Sequence, residues 1–352
     1  MSTLETNSIG KYNGNNVSID DALRLKTYTT TQRDALTSVA GDTIYNSTTG
    51  TIDFYNGTDW NATSGTTFTF SLSWLVIAGG ASGGSSIANN VGGGGGGAGG
   101  YRSSYNSETS GGGNGAETAV TITPSTNYAV TIGAGAAAVF ASSNSYGVDG
   151  SDSSFSTIST TGGGGGGSVL QNGRAGGSGG GAGGYHTKYG GAGTSNQGYA
   201  GGNAVSGRFG TGGGGGAGAV GNNAHPTNNE GGTGGVGIAS TITGSSVTRA
   251  GGGGGTGSNG GHAGGTGGGG AGGAGSTAGT AGTANTGGGG GASNGNGGNA
   301  GTSGAGGSGV VILRYPNTKT ITVGAGLTSS TATSGSDKIT TITAGTGNVS
   351  WS

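Results

Sequence analysis

The sequence predicts a mostly β fold with irregular glycine-rich structure: packed polyglycine II helices bracketed by β-strands, with almost no α-helix. Three observations carry this. Glycine supplies 98 of 352 residues, far above the usual ~7%, and with no strict triplet period the chain is not collagen. Hydrophobic residues are only 29% and aromatics 6%, too few for an ordinary core at this length, so order must come mainly from backbone hydrogen bonds. Short apolar, β-prone segments recur between the glycine runs, which a flexible linker would not need. Charged residues, at 7%, are also scarcer than in a disordered chain that solvates itself.

One block organises the rest. Residues 92–105 read GGGGGGAGGYRSSY, 176–189 read GGSGGGAGGYHTKY, and 212–220 read GGGGGAGAV. In polyglycine II each run is an extended rod of three residues per turn whose N–H and C=O groups point outward to neighbouring rods. A nine-residue run such as 92–100 spans roughly 28 Å at ~3.1 Å per residue. Glycine permits the close approach, with Ala, Ser or Thr at outer faces. The cost is conformational entropy, so many mutual bonds are needed.

Along the chain, residues 1–27 contain IGKYNGNNVSIDDALRL, with a turn at Asn13-Gly14, and are expected to be an attachment segment ordered by a partner. In residues 28–66, Thr29 to Thr31 cap a short helix over 32–37. A meander follows: DTIYN, a Ser-Thr-Thr-Gly turn, TIDFYN, Asn56-Gly57 and TDW. Ile44, Ile52, Phe54 and Trp60 are expected to form its apolar face, too small to be stable alone.

Residues 67–316 form the glycine-rich domain. FTFSLSWLVIA at 68–78 is a strand buried on both faces toward its end. Its expected mate is VVILRY at 310–315, so the two strands bracket the glycine-rich stretch and close one domain. Between them, 119–123 and 128–132 suggest a hairpin, 154–159 a short strand, and 238–242 with 246–249 a second hairpin. Residues 317–352 are expected to form a small C-terminal β-sheet that seals the glycine domain or makes a trimer contact, anchored by Trp351.

Function classes are bounded by what the sequence holds. A net charge of -1 argues against nucleic acid and anionic membranes as partners, since both require clustered Lys and Arg. No apolar run approaches a membrane span, and the N-terminus has no signal-peptide core. With no cysteine, disulfides and thiolate metal sites are excluded. Glycine-rich matches to GxGxxG lack the strand, helix and acidic residue of a dinucleotide site, and no Walker lysine is present. His186, His225 and His262 lie in separate polar loops, better explained as surface than as metal ligands. Asp149 with Asp152, or Asp20 with Asp21, suggest turn caps or a cation site. Scattered acids argue against a polysaccharide depolymerase. No enzyme activity, cofactor or metal is expected.

The motif order SWLVIAGG, GGGGGGAGGYR, NYAVTIGAG, GIASTITGSSVTRAGGGGG and GGSGVVILRYP resembles the glycine-rich domain of bacteriophage tail-fibre adhesins, some of which fold as polyglycine II sandwiches. The YN…YNG…W pattern of residues 28–66 resembles a short fibre module recurring in structural proteins of bacteriophages, especially marine ones. Unlike the separate tip adhesins of T-even-like phages, this chain carries its own N-terminal module. The resemblance implies a virion protein on a tail fibre or other exterior appendage. It would be a homotrimer, joined to other virion proteins through its N-terminal region. Its end loops would present a receptor-binding surface to a host surface glycan or outer-membrane protein. A structural fibre or capsid decoration without a specific receptor would show the same lattice. Ice binding, known for some polyglycine II bundles, is disfavoured by bulky Tyr and Arg between the rods.

Tyrosine and arginine dominate recognition surfaces. The aromatic and cationic residues after each GGAGG therefore form the candidate site: Tyr101, Arg102, Tyr105, Tyr185, His186, Lys188 and Tyr189, with Tyr199, Arg208 and Phe209. Tyr101-Arg102 has a competing role as a cap of the lattice. Equal rod direction would put the Tyr101 and Tyr185 loops at one end, with residues 221–230, a solvated connector, at the opposite end or beside them as the rod count decides.

Overall fold

The computed structural model describes residues 25–63, 69–87, 91–140, 145–275, 277–295 and 301–352. Residues 1–24 of the expected attachment segment, with Asn13-Gly14, Asp20 and Asp21, lie outside them. The chain divides into two compact units, Met1–Phe68 and Thr69–Ser352.

In the first unit, β1 (Thr27–Tyr28) pairs parallel with β2 (Thr43–Asn46), which continues antiparallel through β3 (Thr51–Tyr55) and β4 (Trp60–Ala62). The helix α1 (Thr30–Asp34) is shorter than expected and opens with a capping box: Thr29 Oγ1 accepts from Gln32 N, and Gln32 Oε1 accepts from Thr29 N. The Asn56-Gly57 turn differs from a tight two-residue hairpin. Only Gly57 takes positive φ, at 101°, and the Asn56 side chain accepts from Thr58 N and Asp59 N, an Asx turn.

The expected apolar face is corrected by the register. Ile44 pairs with Asp53, and Thr43 with Phe54, so strand alternation places Ile44 and Trp60 on one face and Ile52 and Phe54 on the other. Phe54 is 40% exposed. The buried face instead centres on a polar network, in which Asp53 accepts from Arg33 Nη1 and Asn46 Nδ2, each at 2.8 Å.

The second unit is built on two long strands. β5 (Phe70–Ile77) and β15 (Val310–Pro316) pair antiparallel, with Ile77 opposite Val310 and Trp74 opposite Leu313. β6 (Tyr101–Ser103) and β7 (Val120–Ile122) pair with different parts of β5. β8 (Tyr128–Thr131) joins β9 (Ser153–Phe155), which pairs with β10 (Ile158–Thr160). The expected hairpin of 119–123 with 128–132 is therefore not formed. The turn is present, but its arms bond to separate partners, β7 to β5 and β8 to β18 (Asp337–Trp351). The strand expected at 154–159 is two strands joined at Ser156, whose φ is 55°.

The remaining hairpins are β11 (Ile238–Ser240) with β12 (Val247–Arg249), and β13 (Thr256–Gly257) with β14 (Gly260–Gly261). At the C-terminus, β16 (Ile321–Val323) and β17 (Leu327–Ser334) both pair with β18. Residues 317–352 do not stand apart, because β18 lies between β15 and β8 in the main sheet. Alternation along β5 and β15 then creates two cores. Trp74, Val76, Val311, Leu313 and Tyr315 face Ile122, Val130, Phe155 and Trp351. Leu75, Ile77, Val310 and Ile312 face Ala98, Tyr101, Ala217 and Ala250 at the ends of glycine runs. Trp351 packs edge-on to Phe70, Tyr128 and Tyr315.

The glycine runs are ordered rods. Along one of them the N–H groups of Gly94 and Gly97 go to Gly167 and Gly164, those of Gly95 and Ala98 to Gly212 and Gly215, and those of Gly96 and Gly99 to Gly290 and Gly287. Donors thus cycle among three neighbours with a period of three. The carbonyls face three further segments, for example Gly95 O to Gly181 N, Gly96 O to Gly253 N and Gly97 O to Ala81 N. A methyl group on Gly96 would collide with the Ala81 and Ser82 backbone, so the spacing excludes side chains there. Alanine departs from the expected outer position: Ala98, Ala182, Ala217, Ala250 and Ala292 are all fully buried.

Candidate functional site

Rod direction decides which loops share an end. Ser178 N donates to Ala98 O and Gly181 N to Gly95 O, so numbering rises along one rod as it falls along the other and the two homologous blocks are antiparallel. Tyr101 and Tyr185 consequently lie at opposite ends, which corrects the expectation that they share one. Gly95 N to Gly212 O and Ala98 N to Gly215 O make 211–217 parallel to 92–100. Gly210 then lies at the Tyr185 end and Ala217 at the Tyr101 end, against the sheet.

At the sheet end the candidate residues are structural. Tyr101 is fully buried in the second core, and burial pushes its phenol pKa well up. It therefore has no surface to offer a receptor. Arg102 donates from Nε to Glu117 Oε1 at 2.7 Å and from Nη1 to Ser159 O at 2.8 Å, and its guanidinium lies over the Trp74 ring; the Glu117 hydrogen bonds raise its pKa. Tyr105 packs on the second core, with the Arg314 guanidinium 5.1 Å from its ring centroid. Tyr199 donates its N–H to Gly216 O and sets its hydroxyl beside Gly113. These four cap the lattice.

The far end carries the others. Tyr185 stacks on Phe209 with ring centroids 5.8 Å apart and planes 21° apart, and His186 meets Tyr185 edge-on at 5.2 Å. Tyr185 is held at φ 83°, a region that side chains disfavour. Its N–H donates to Arg208 O, and its carbonyl accepts from Gly207 N. Lys188 bridges to Ala204, which joins the 185–189 and 204–209 loops. Tyr185 and Tyr189 are 45% and 61% exposed, alongside other exposed large side chains such as Phe140 and Leu170.

Asparagines hold this end in place. Asn172 Oδ1 accepts from Tyr189 N, Asn203 Oδ1 from Gly190 N, Asn223 Oδ1 from Asn203 N and Asn229 Oδ1 from Phe209 N, at 2.7 to 3.2 Å. Where a rod stops, the next donor loses its rod partner, and a short amide side chain replaces it. Nothing in the sequence reading singled these residues out. The available signal was their position beside glycine runs, as in QNGR, GGNA and VGNN.

The 221–230 loop lies at this same end, since Ala224 N donates to Asn203 O and Gly210 abuts the Glu230 carbonyl. Beside it is a depression of about 400 Å³ lined by residues that include Asn222, His225, Glu230, Thr233 and His262. Two of the three widely spaced histidines thus line one depression. Among the described residues no three His, Asp or Glu side chains converge as metal ligands. Asp149 pairs with Arg174 and accepts from Gly165 N, while Asp152 accepts from Gly162 N. Both act as rod caps.

A family model described as a glycine-rich domain matches residues 48–316. No curated protein matches the chain.

Proposed function

The chain belongs to the glycine-rich domain family, and from that premise we propose that it is a bacteriophage tail-fibre adhesin whose rods are polyglycine II helices. The three-residue hydrogen-bond period and the six-sided pairing of 92–100 support the rod assignment. The adhesin reading rests chiefly on the exposed Tyr185 and Tyr189 with the Tyr185–Phe209 stack. One end of the lattice is buried on a sheet, and the other displays aromatic rings with Lys188 and Arg208.

In this reading the chain binds a host surface glycan or outer-membrane protein and catalyses no reaction. It joins other virion proteins through its N-terminal region and assembles as a homotrimer. The receptor-binding residues are Tyr185, His186, Lys188, Tyr189, Arg208 and Phe209, while Tyr101, Arg102, Tyr105 and Tyr199 hold the scaffold. The test is adsorption of labelled protein to bacterial cells before and after combined His186→Ala, Lys188→Ala and Tyr189→Ala substitution, which leaves the rods and their caps in place. Loss or change of the strains bound, with unfolding unaltered, is expected. Unchanged adsorption would leave a structural fibre without a receptor as the better reading.

A further inference from the structure

The depression lined by His225, Glu230 and His262 is not explained by the lattice. Several polar groups at this end cap rods or bond one another. Asn222 Nδ2 donates to Thr233 Oγ1, and Asn223 Oδ1 accepts from Asn203 N. By contrast, among the described residues the Glu230 carboxylate and the His262 ring have no hydrogen-bond or ion-pair partner. His225 Nδ1 accepts from Thr227 N at 3.3 Å, which assigns the proton of the neutral ring to Nε2 and leaves that N–H free to donate. One concavity thus offers an acceptor-only group, a donor and a second imidazole.

Its position adds a second element. Phe209 N bonds to Asn229 Oδ1 at 3.2 Å, and the following Gly210 packs on Glu230, so the aromatic stack and the polar depression adjoin. At about 400 Å³ the concavity falls in the size range of small-ligand sites, roughly 300–1,000 Å³. A protein partner would call for roughly 800 Å² of complementary surface on each side. Groups that both donate and accept, next to an aromatic ring, match a molecule with hydroxyls around its edge and C–H groups on its faces.

We propose that the depression and the Tyr185–Phe209 stack together bind a neutral saccharide, with Glu230, His225 and His262 on its hydroxyls and the aromatic pair beside its apolar face. The one acidic group at the depression and the near-zero net charge of the chain disfavour a polyanionic glycan. The inference rests on the adhesin reading only for the source of the sugar, the surface of a bacterial cell.

Two measurements on the full chain separate the claims. On an immobilised panel of neutral bacterial oligosaccharides, retention of the wild type is expected, and Glu230→Gln, His262→Ala and Tyr185→Ala should each lower affinity about tenfold or more with thermal unfolding unchanged. On bacterial cells, periodate oxidation of surface diols should abolish labelling while protease treatment should not. Absence of retention on the panel, or wild-type retention by Glu230→Gln and His262→Ala, overturns the saccharide site. So does cell labelling that is lost to protease and survives periodate, although the adhesin reading then stands. Retention on the panel with no cell labelled overturns the adhesin reading and keeps the saccharide site.

Discussion

Ser178 donates its backbone N–H to the carbonyl of Ala98 at 2.9 Å. That bond joins equivalent regions of two copies of the same block and shows them to be antiparallel. Blocks that look interchangeable in sequence therefore end in different surroundings, one at the sheet and one at the exposed end.

Gly96 has no room for a methyl group, because the Ala81 and Ser82 backbone occupies the position of a Cβ. Gly96→Ala should destabilise the second unit by about 3 kcal/mol or more, above the usual overpacking range because rods cannot repack as side chains do. Gly115→Ala, with nothing within 4 Å of the added group, should be near neutral. Denaturant midpoints of the two variants decide the matter, and equal midpoints would refute the close-packed lattice.

Tyr101 belongs to the core. Tyr101→Ala should cost about 3–5 kcal/mol, as for other large buried rings. Tyr101→Phe should keep both the fold and any cell adsorption. A Tyr101→Phe protein with wild-type stability and no adsorption would return this residue to the binding surface.

Asn203 caps a rod at the exposed end by accepting from Gly190 N at 2.9 Å. Asn203→Ala leaves that donor without its partner, at a local cost of about 1–3 kcal/mol. Amide hydrogen exchange should accelerate at residues 188–191 and remain slow in β5 and β15. Uniform exchange across the whole unit would mean that the cap supports global rather than local order.

In the first unit, burial works to raise the Asp53 pKa, but hydrogen bonds from Thr51, Asn46 and Arg33 outweigh it and hold the carboxylate below its ordinary value of 3.8. A depressed folded pKa means that the unfolded chain binds the proton more readily. The stabilisation is therefore present above pH 3.8 and is lost as pH falls through the lower folded value. Hydrogen exchange in β2 and β3 should show this acid weakening, and Asp53→Asn should remove it. Persistence of the same acid transition in Asp53→Asn would assign it to another group.

Some elements were legible because local chemistry has one good solution. A threonine at 29 can cap a helix with its own hydroxyl, and the apolar run of β5 has its match in the one other long apolar segment, which becomes β15. Others were not. The turn after Ile122 is visible in Pro124 and Ser125, yet whether its arms pair with each other depends on β18, more than 200 residues away. Phe54 and Ile44 look like one apolar face until the register of β3 is known.

By itself, the sequence determined that this protein is a glycine-rich, mostly β protein ordered through its backbone, because composition leaves few other sources of stability. It also located the aromatic loops that follow the glycine runs. Only the tertiary structure decided the direction of each rod, since a run of glycines has no side chains to encode polarity and hydrogen bonds to neighbours supply it. That choice separated Tyr101 from Tyr185, buried the one and exposed the other, and brought His225, Glu230 and His262 to a single depression.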